Sequence, residues 1–268
     1  MNRTQRIAFL VACLACASKT QTRGDVPVKT IHVRVVCPTR DEAAMRAYDR
    51  ANDAERERDV ARAEALYREA LQRDPAYCDA MDNLGLLLRR QGRVDEAIEW
   101  YRRSLAVQPR NRVARINLAT ALSLQGKPDE ALREQMTVLE QDPDDAEAHY
   151  GIGLTYLAKQ EPGKALEHLE RAEKLYWVQR PELTADATLL KGIAQWRLGD
   201  CRSAVATLES IEKAKADDRE LNYVLGVCSL DGHREELARE CPRGHPGSSG
   251  LASICAARFR QERRSTQQ

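Results

Sequence analysis

The sequence predicts an all-α protein: a solenoid of about six stacked helix-turn-helix units, closed at its C-terminal end by a capping helix. Three observations predict it. Pro75, Pro109 and Pro143 stand 34 residues apart, and Ala63, Ala97, Ala131 and Ala165 keep the same interval. After a slip of five residues the interval returns between Gly192 and Gly226, and between Ala204 and Ala238. A fixed period of this length marks stacked helical hairpins, each hiding its apolar face against its neighbours.

One unit, residues 78 to 111, shows the physics of the period. Met81, Leu84 and Leu88 form an apolar stripe at helical spacing, with Gly85 where a side chain would obstruct a neighbouring helix. Gln91-Gly92-Arg93 breaks that helix and Val94-Asp95-Glu96 opens a second, whose Ala97, Tyr101 and Leu105 face back to the first. Pro109 ends the pair. The next units place Leu118, Ala119, Leu122, Gly126, Ala131, Val138 and Pro143, and then Ile152, Gly153, Tyr156, Ala165, Leu169 and Ala172, at equivalent positions.

Leu84-Gly85, Leu88, Gly92, Ala97, Tyr101 and Pro109 resemble the tetratricopeptide repeat at that family's spacing. The resemblance implies a right-handed superhelical solenoid of repeats 44–77, 78–111, 112–145, 146–179, 185–218 and 219–250. The outer units depart from the pattern. Ala51 replaces the glycine and Arg50 the buried leucine in the first, and Lys191 and Gln195 fall at normally interior positions in the fifth. Trp177 to Thr184 lengthens the connection between the fourth and fifth repeats, and Pro181 prevents an uninterrupted helix there. Trp177 is expected to pack in that seam, exposure as a contact being the alternative. In the sixth, Cys241-Pro242 stops the second helix early.

Composition agrees with a folded helical body. Lysine and arginine number 42 against 41 acidic residues, so charge points to neither nucleic acid nor an anionic surface as the main partner. The N-terminus differs. Arg3 and Arg6 precede the apolar run Ile7 to Ala17, which reads as an export signal in residues 1–17 and is too short to span a bilayer, for which about 20 apolar residues are needed. Leu10-Val11-Ala12-Cys13 resembles the bacterial lipoprotein box, in which the cysteine is acylated; Cys16 is a second candidate, and ordinary cleavage after Ala17 is the alternative. Leu14 or Ala17 after the acylated cysteine resembles outer-membrane retention, on the periplasmic face. Residues 18–43 then form a polar tether and a short extended segment at Thr30 to Val36, before a helix start at Pro38 to Glu42.

Six further cysteines, Cys37, Cys78, Cys201, Cys228, Cys241 and Cys255, suit an oxidising compartment. Six cysteines allow 15 pairings. We expect Cys37 with Cys78 and two bridges among the other four, free buried thiols being the alternative. Neither His233 nor His245 has ligand spacing to these thiols, so no metal site is expected. Beyond the loop from Gly244 to Gly250, Leu251, Ile254, Cys255 and Phe259 share one face of a final helix in residues 251–268, which suits the cap a solenoid needs over its last repeat.

The family resemblance implies a concave groove lined by the first helix of each pair. Its N-terminal half offers Tyr48, Asp49, Asn52, Asp79, Asp82, Asn83, Arg89 and Asn117, suited to a peptide backbone. Its C-terminal half offers Ile116, Leu124, Tyr150, Leu154, Leu157, Leu189, Ile193, Trp196, Tyr223 and Val227, suited to an amphipathic partner segment. A small rotation of each helix would turn several of these into core. The basic clamp by which chaperone-binding members hold a terminal carboxylate is missing, since Tyr48, Val113 and Asn117 occupy its positions. Nucleophile elbows, phosphate loops and metal-spaced clusters are also missing, and acid pairs such as Asp95-Glu96 and Asp129-Glu130 stand at helix starts, where they suit the helix dipole. The expected function is a non-enzymatic scaffold that needs no cofactor or small-molecule substrate. It would bind envelope proteins from a lipid anchor in a gliding-motility machine; alternatives are a type IV pilus pilotin and a secreted carbohydrate or cell-wall binder.

Overall fold

The computed structural model describes Cys37 and residues 39–240, with the side chains of 231–240 left aside. The expected export signal, most of the tether, Cys13, Cys16, Cys241, Cys255 and the capping helix lie outside the described residues.

Eleven α-helices follow one another among the described residues. They are α1 (Glu42–Arg56), α2 (Val60–Arg73), α3 (Cys78–Arg90), α4 (Val94–Val107), α5 (Arg112–Leu124), α6 (Pro128–Gln141), α7 (Ala146–Ala158), α8 (Pro162–Gln179), α9 (Thr184–Arg197), α10 (Cys201–Glu209) and α11 (Arg219–Glu240). They pair as five hairpins and a final single helix, and the first helices begin at or within two residues of the expected repeat starts.

Each hairpin turns at one repeating position. Gly92, Gly126 and Gly199 adopt φ of 81°, 81° and 85°, and Arg58 and Gln160 take the same left-handed conformation at 62°. Glycine is favoured there because its missing Cβ removes the clash. In the sixth unit this position is His233, and the nearest glycine, Gly232, comes one residue early. No turn forms. α11 runs on as one helix of 22 residues where a second hairpin arm was expected.

Helix starts are set by acidic and amide caps. Asp41, Asp59, Asn111, Asp145 and Asp200 each accept a hydrogen bond from a backbone N–H in the first turn of the helix that follows. The core is a column of alanine, leucine and tyrosine between the helices, in which Ala63, Ala97, Ala131, Ala165 and Ala204 are fully buried. Small residues let the helices approach. Arg50, at the buried-leucine position, is exposed on α1 because no described helix precedes it.

The five-residue slip lengthens α8 to 18 residues and adds a 3-10 turn at Pro181–Leu183. The expected packing of Trp177 is not found. It is 73% exposed, with Val178 at 80%, because both point away from the side of α8 that buries Ala172 and Tyr176. Two disulfides lie at the two ends of the described stack, Cys37–Cys78 and Cys201–Cys228. The first joins the segment before α1 to the start of α3, and the second joins α10 to α11.

Candidate functional site

First helices line one side of the stack. From α3 onward each touches the first helix of the next hairpin, α3 with α5, α5 with α7, α7 with α9 and α9 with α11, while consecutive second helices make no comparable contact. A stack closer on one side than the other is curved, with the first helices inside. This inner face is where the expected partner-binding residues were placed.

At the N-terminal end the inner face is a hydrogen-bonded network. Asn83 donates to the Tyr48 hydroxyl at 3.0 Å and to Asn52 Oδ1 at 3.2 Å, and the Tyr67 hydroxyl lies 2.6 Å from both Asn52 Oδ1 and the Glu55 carboxylate. Tyr48 also packs against Tyr67 and Tyr77, with ring centroids 5.8 and 5.1 Å away. Asn52 and Asn83 are therefore committed to each other and to tyrosines, so less of their bonding capacity is left for a partner. Asn117 is half-buried on α5.

Asp82, also expected on this face, is buried. One carboxylate oxygen accepts from Asn111 Nδ2 at 2.7 Å; the other has no hydrogen-bond partner among the described residues. Burial, opposed by the bonds from Ser104 and Asn111, pushes its pKa up to about 7. Asn111 also bonds Ser104 and caps α5. Asp82 thus belongs to the joint between the second and third hairpins.

The C-terminal half is aromatic and partly open. Tyr150 and Leu154 on α7 and Trp196 on α9 are half-buried against the core, and Tyr223 on α11 is 47% exposed. Trp196 and Tyr223 meet edge to face, with ring centroids 5.8 Å apart and planes at 89°, a favourable arrangement of their quadrupoles. Burial, then the charges of Asp186 and Glu220, push the Tyr150 hydroxyl up to about 12, so carboxylates from the fifth and sixth repeats lie close to a ring of the fourth.

Three expected groove residues belong elsewhere. Leu157, Leu189 and Ile193 are 1%, 6% and 4% exposed and pack in one core cluster with Leu169, Leu208 and Leu221. The rotation of α7 and α9 turns them inward while leaving Leu154 and Trp196 at the surface. Of the cysteines expected to pair, Cys37 bonds Cys78 and Cys201 bonds Cys228.

Sequence reasoning missed the carboxylates of this face as a set. Asp79, Glu147, Asp186 and Glu220 occupy the second position of four repeats, a periodic signal available in the sequence. It also missed a histidine pair. His149 Nδ1 and His168 Nδ1 are 3.0 Å apart, and His149 Nε2 lies 3.0 Å from the Pro143 carbonyl oxygen. Among the described residues no group of three or more His, Cys, Asp or Glu could hold a metal ion, and no helix is long and apolar enough to cross a membrane.

Family profiles described as tetratricopeptide repeats match residues 48–112 and 189–240, 88–152, and 146–176. Nothing among curated proteins matches the chain. Solved structures do. PilW, described as a widely conserved type IV pilus biogenesis factor, has a TM-score of 0.60 at 21% identity, over 68% of this chain and 82% of its own. MamA from Desulfovibrio magneticus RS-1, from residue 41 to its end, has a TM-score of 0.58 at 18% identity, over 68% of this chain and 99% of its own. YrrB, described as a TPR protein with an unusual peptide-binding site, has a TM-score of 0.53 at 21% identity, over 68% and 91% of the two chains. These likenesses concern the fold.

Proposed function

This chain belongs to the tetratricopeptide-repeat family, and from that premise we propose that it is a non-enzymatic scaffold holding a segment of a partner protein along the face built by its first helices. The observation that carries this reading is the open aromatic shelf. Tyr150, Leu154, Trp196 and Tyr223, from three successive first helices, leave apolar surface accessible beside carboxylates. Rigid aromatic side chains on a preformed face bind with little loss of conformational entropy.

The scaffold works in a bacterial envelope. The run from Arg3 to Ala17 supports export, and the bridges Cys37–Cys78 and Cys201–Cys228 suit an oxidising compartment. Acylation at Cys13 or Cys16 would hold it on the periplasmic face of the outer membrane, where it would serve a gliding-motility machine. A second reading, assistance to secretin assembly in a type IV pilus system, draws support from the likeness of fold to PilW.

Cross-linking in living cells from position 227, one helical turn from Tyr223 on α11, with capture from membranes, tests the scaffold. A partner retained by the native chain and lost on Tyr223→Glu with an unchanged melting temperature is the expected result; capture indifferent to that change removes the groove. Replacing Cys13 and Cys16 together should release the protein from membranes. Deleting the gene separates the machines, since loss of secretin multimers indicates the pilus and intact multimers with defective single-cell movement indicate gliding.

A further inference from the structure

We infer that the segment held by the C-terminal half of the inner face is basic and amphipathic, with a lysine or arginine beside an apolar stripe. The inference rests on the groove reading above and specifies its partner's chemistry. Tyr150, Leu154, Trp196 and Tyr223 supply ring and methyl surface, but the charges beside them are unevenly satisfied. Asp186 is matched by Lys215 at 2.6 Å. Asp218 accepts from the first backbone N–H groups of α11, those of Glu220 and Leu221, at 3.0 and 3.1 Å.

Glu220 has neither kind of partner; among the described residues it forms no ion pair. The cation that faces it, Arg197, gives a guanidinium nitrogen to the Leu157 carbonyl oxygen at 2.6 Å. Burial, then the charge of Asp218, hold the Glu220 carboxyl above its ordinary range, with Arg197 pulling the other way. A half-buried carboxylate beside aromatic rings is best offset by a cation that brings hydrogen-bond donors. Lysine and arginine do so, lay an apolar stem along the shelf, and gain from a tyrosine or tryptophan face.

The opposite end of the face repeats the pairing. Tyr48 feels the charges of Asp79 and Asp49, so a tyrosine again stands beside two carboxylates. With a net charge of +1 the chain as a whole does not attract cations, and a preference for basic peptides must arise locally.

The test uses two fluorescein-labelled amphipathic peptides, one with a leucine stripe and lysines, the other with the same stripe and glutamates. Anisotropy titration of the full chain should show the lysine peptide bound about tenfold tighter or more, a gap that narrows with salt. Glu220→Gln should cut that preference about fivefold without changing the melting temperature, while Tyr223→Ala should weaken both peptides. Equal binding of the two peptides, or a preference untouched by Glu220→Gln, overturns the inference. If neither peptide binds while cross-linking from position 227 still captures a partner, the groove stands and its basic ligand does not.

Discussion

Gly85 and Tyr101 share one volume: a Cβ built on Gly85 would stand 2.6 Å from the Tyr101 ring. The same contact recurs along the stack, with Leu169 over Gly153 and Leu208 over Gly192. In these three hairpins the glycine of the first helix is therefore a slot for a side chain of the second. Gly85→Ala should lower stability by about 1–3 kcal/mol, because the fully buried Tyr101 ring has nowhere to move. Thermal or denaturant unfolding checks this, and a neutral result would mean the hairpin can open without loss.

Gly226 holds the equivalent position in α11, and among the described residues nothing lies within 4 Å of its would-be Cβ. The expected capping role of residues 251–268 can be tested at this slot. Gly226→Trp and Phe259→Ala should each lower the melting temperature, and their effects should fall short of additive in the double variant. Full additivity would place the C-terminal segment elsewhere.

The two disulfides should hold the ends of the stack. They close sequence separations of 41 and 27 residues, for which chain entropy predicts about 3–4 kcal/mol each. Reduction should lower the melting temperature, and hydrogen exchange should show α11 opening before the central hairpins. Uniform loss of protection along the chain would contradict this, because a solenoid's stability is a sum over neighbouring repeats.

Asp82 makes the joint between the second and third hairpins sensitive to pH. Its folded pKa of about 7 stands above the ordinary carboxylate value, so the folded chain binds the extra proton and stability falls as pH rises from about 4 to about 7. The size of this fall is on the order of 4 kcal/mol. Asp82→Asn, which cannot ionise, should flatten that part of the stability profile. A profile of unchanged slope would show that another group is responsible.

The 34-residue period, the helix starts and the hairpin turns were legible in the sequence because they depend on local chemistry: glycine where φ must be positive, an acid or amide at a helix start, an alanine at each close contact. Outer repeats were less legible. The stop position in the sixth unit is His233, and the helix ran through it, since no glycine falls in register to take the left-handed turn. Trp177, whose packing in the seam was expected over exposure, lies outside because it points away from the side of α8 that buries Ala172 and Tyr176.

By itself the sequence determined the family, the order of the first five hairpins, and the cysteine pair at the N-terminal end. Only the tertiary structure decided which of the expected groove residues are surface. Leu154 and Leu157 sit three apart on one helix, as do Ile193 and Trp196, and each pair divides between face and core. Hydrophobicity tells the chain that both must leave water; which one meets a neighbouring helix is set by helix rotation, a sum of contacts across three hairpins that no local pattern encodes. The same rotation sends Asp82 into the joint and leaves Glu220 beside Tyr150, turning two carboxylates of one sequence class into a structural group and a candidate contact.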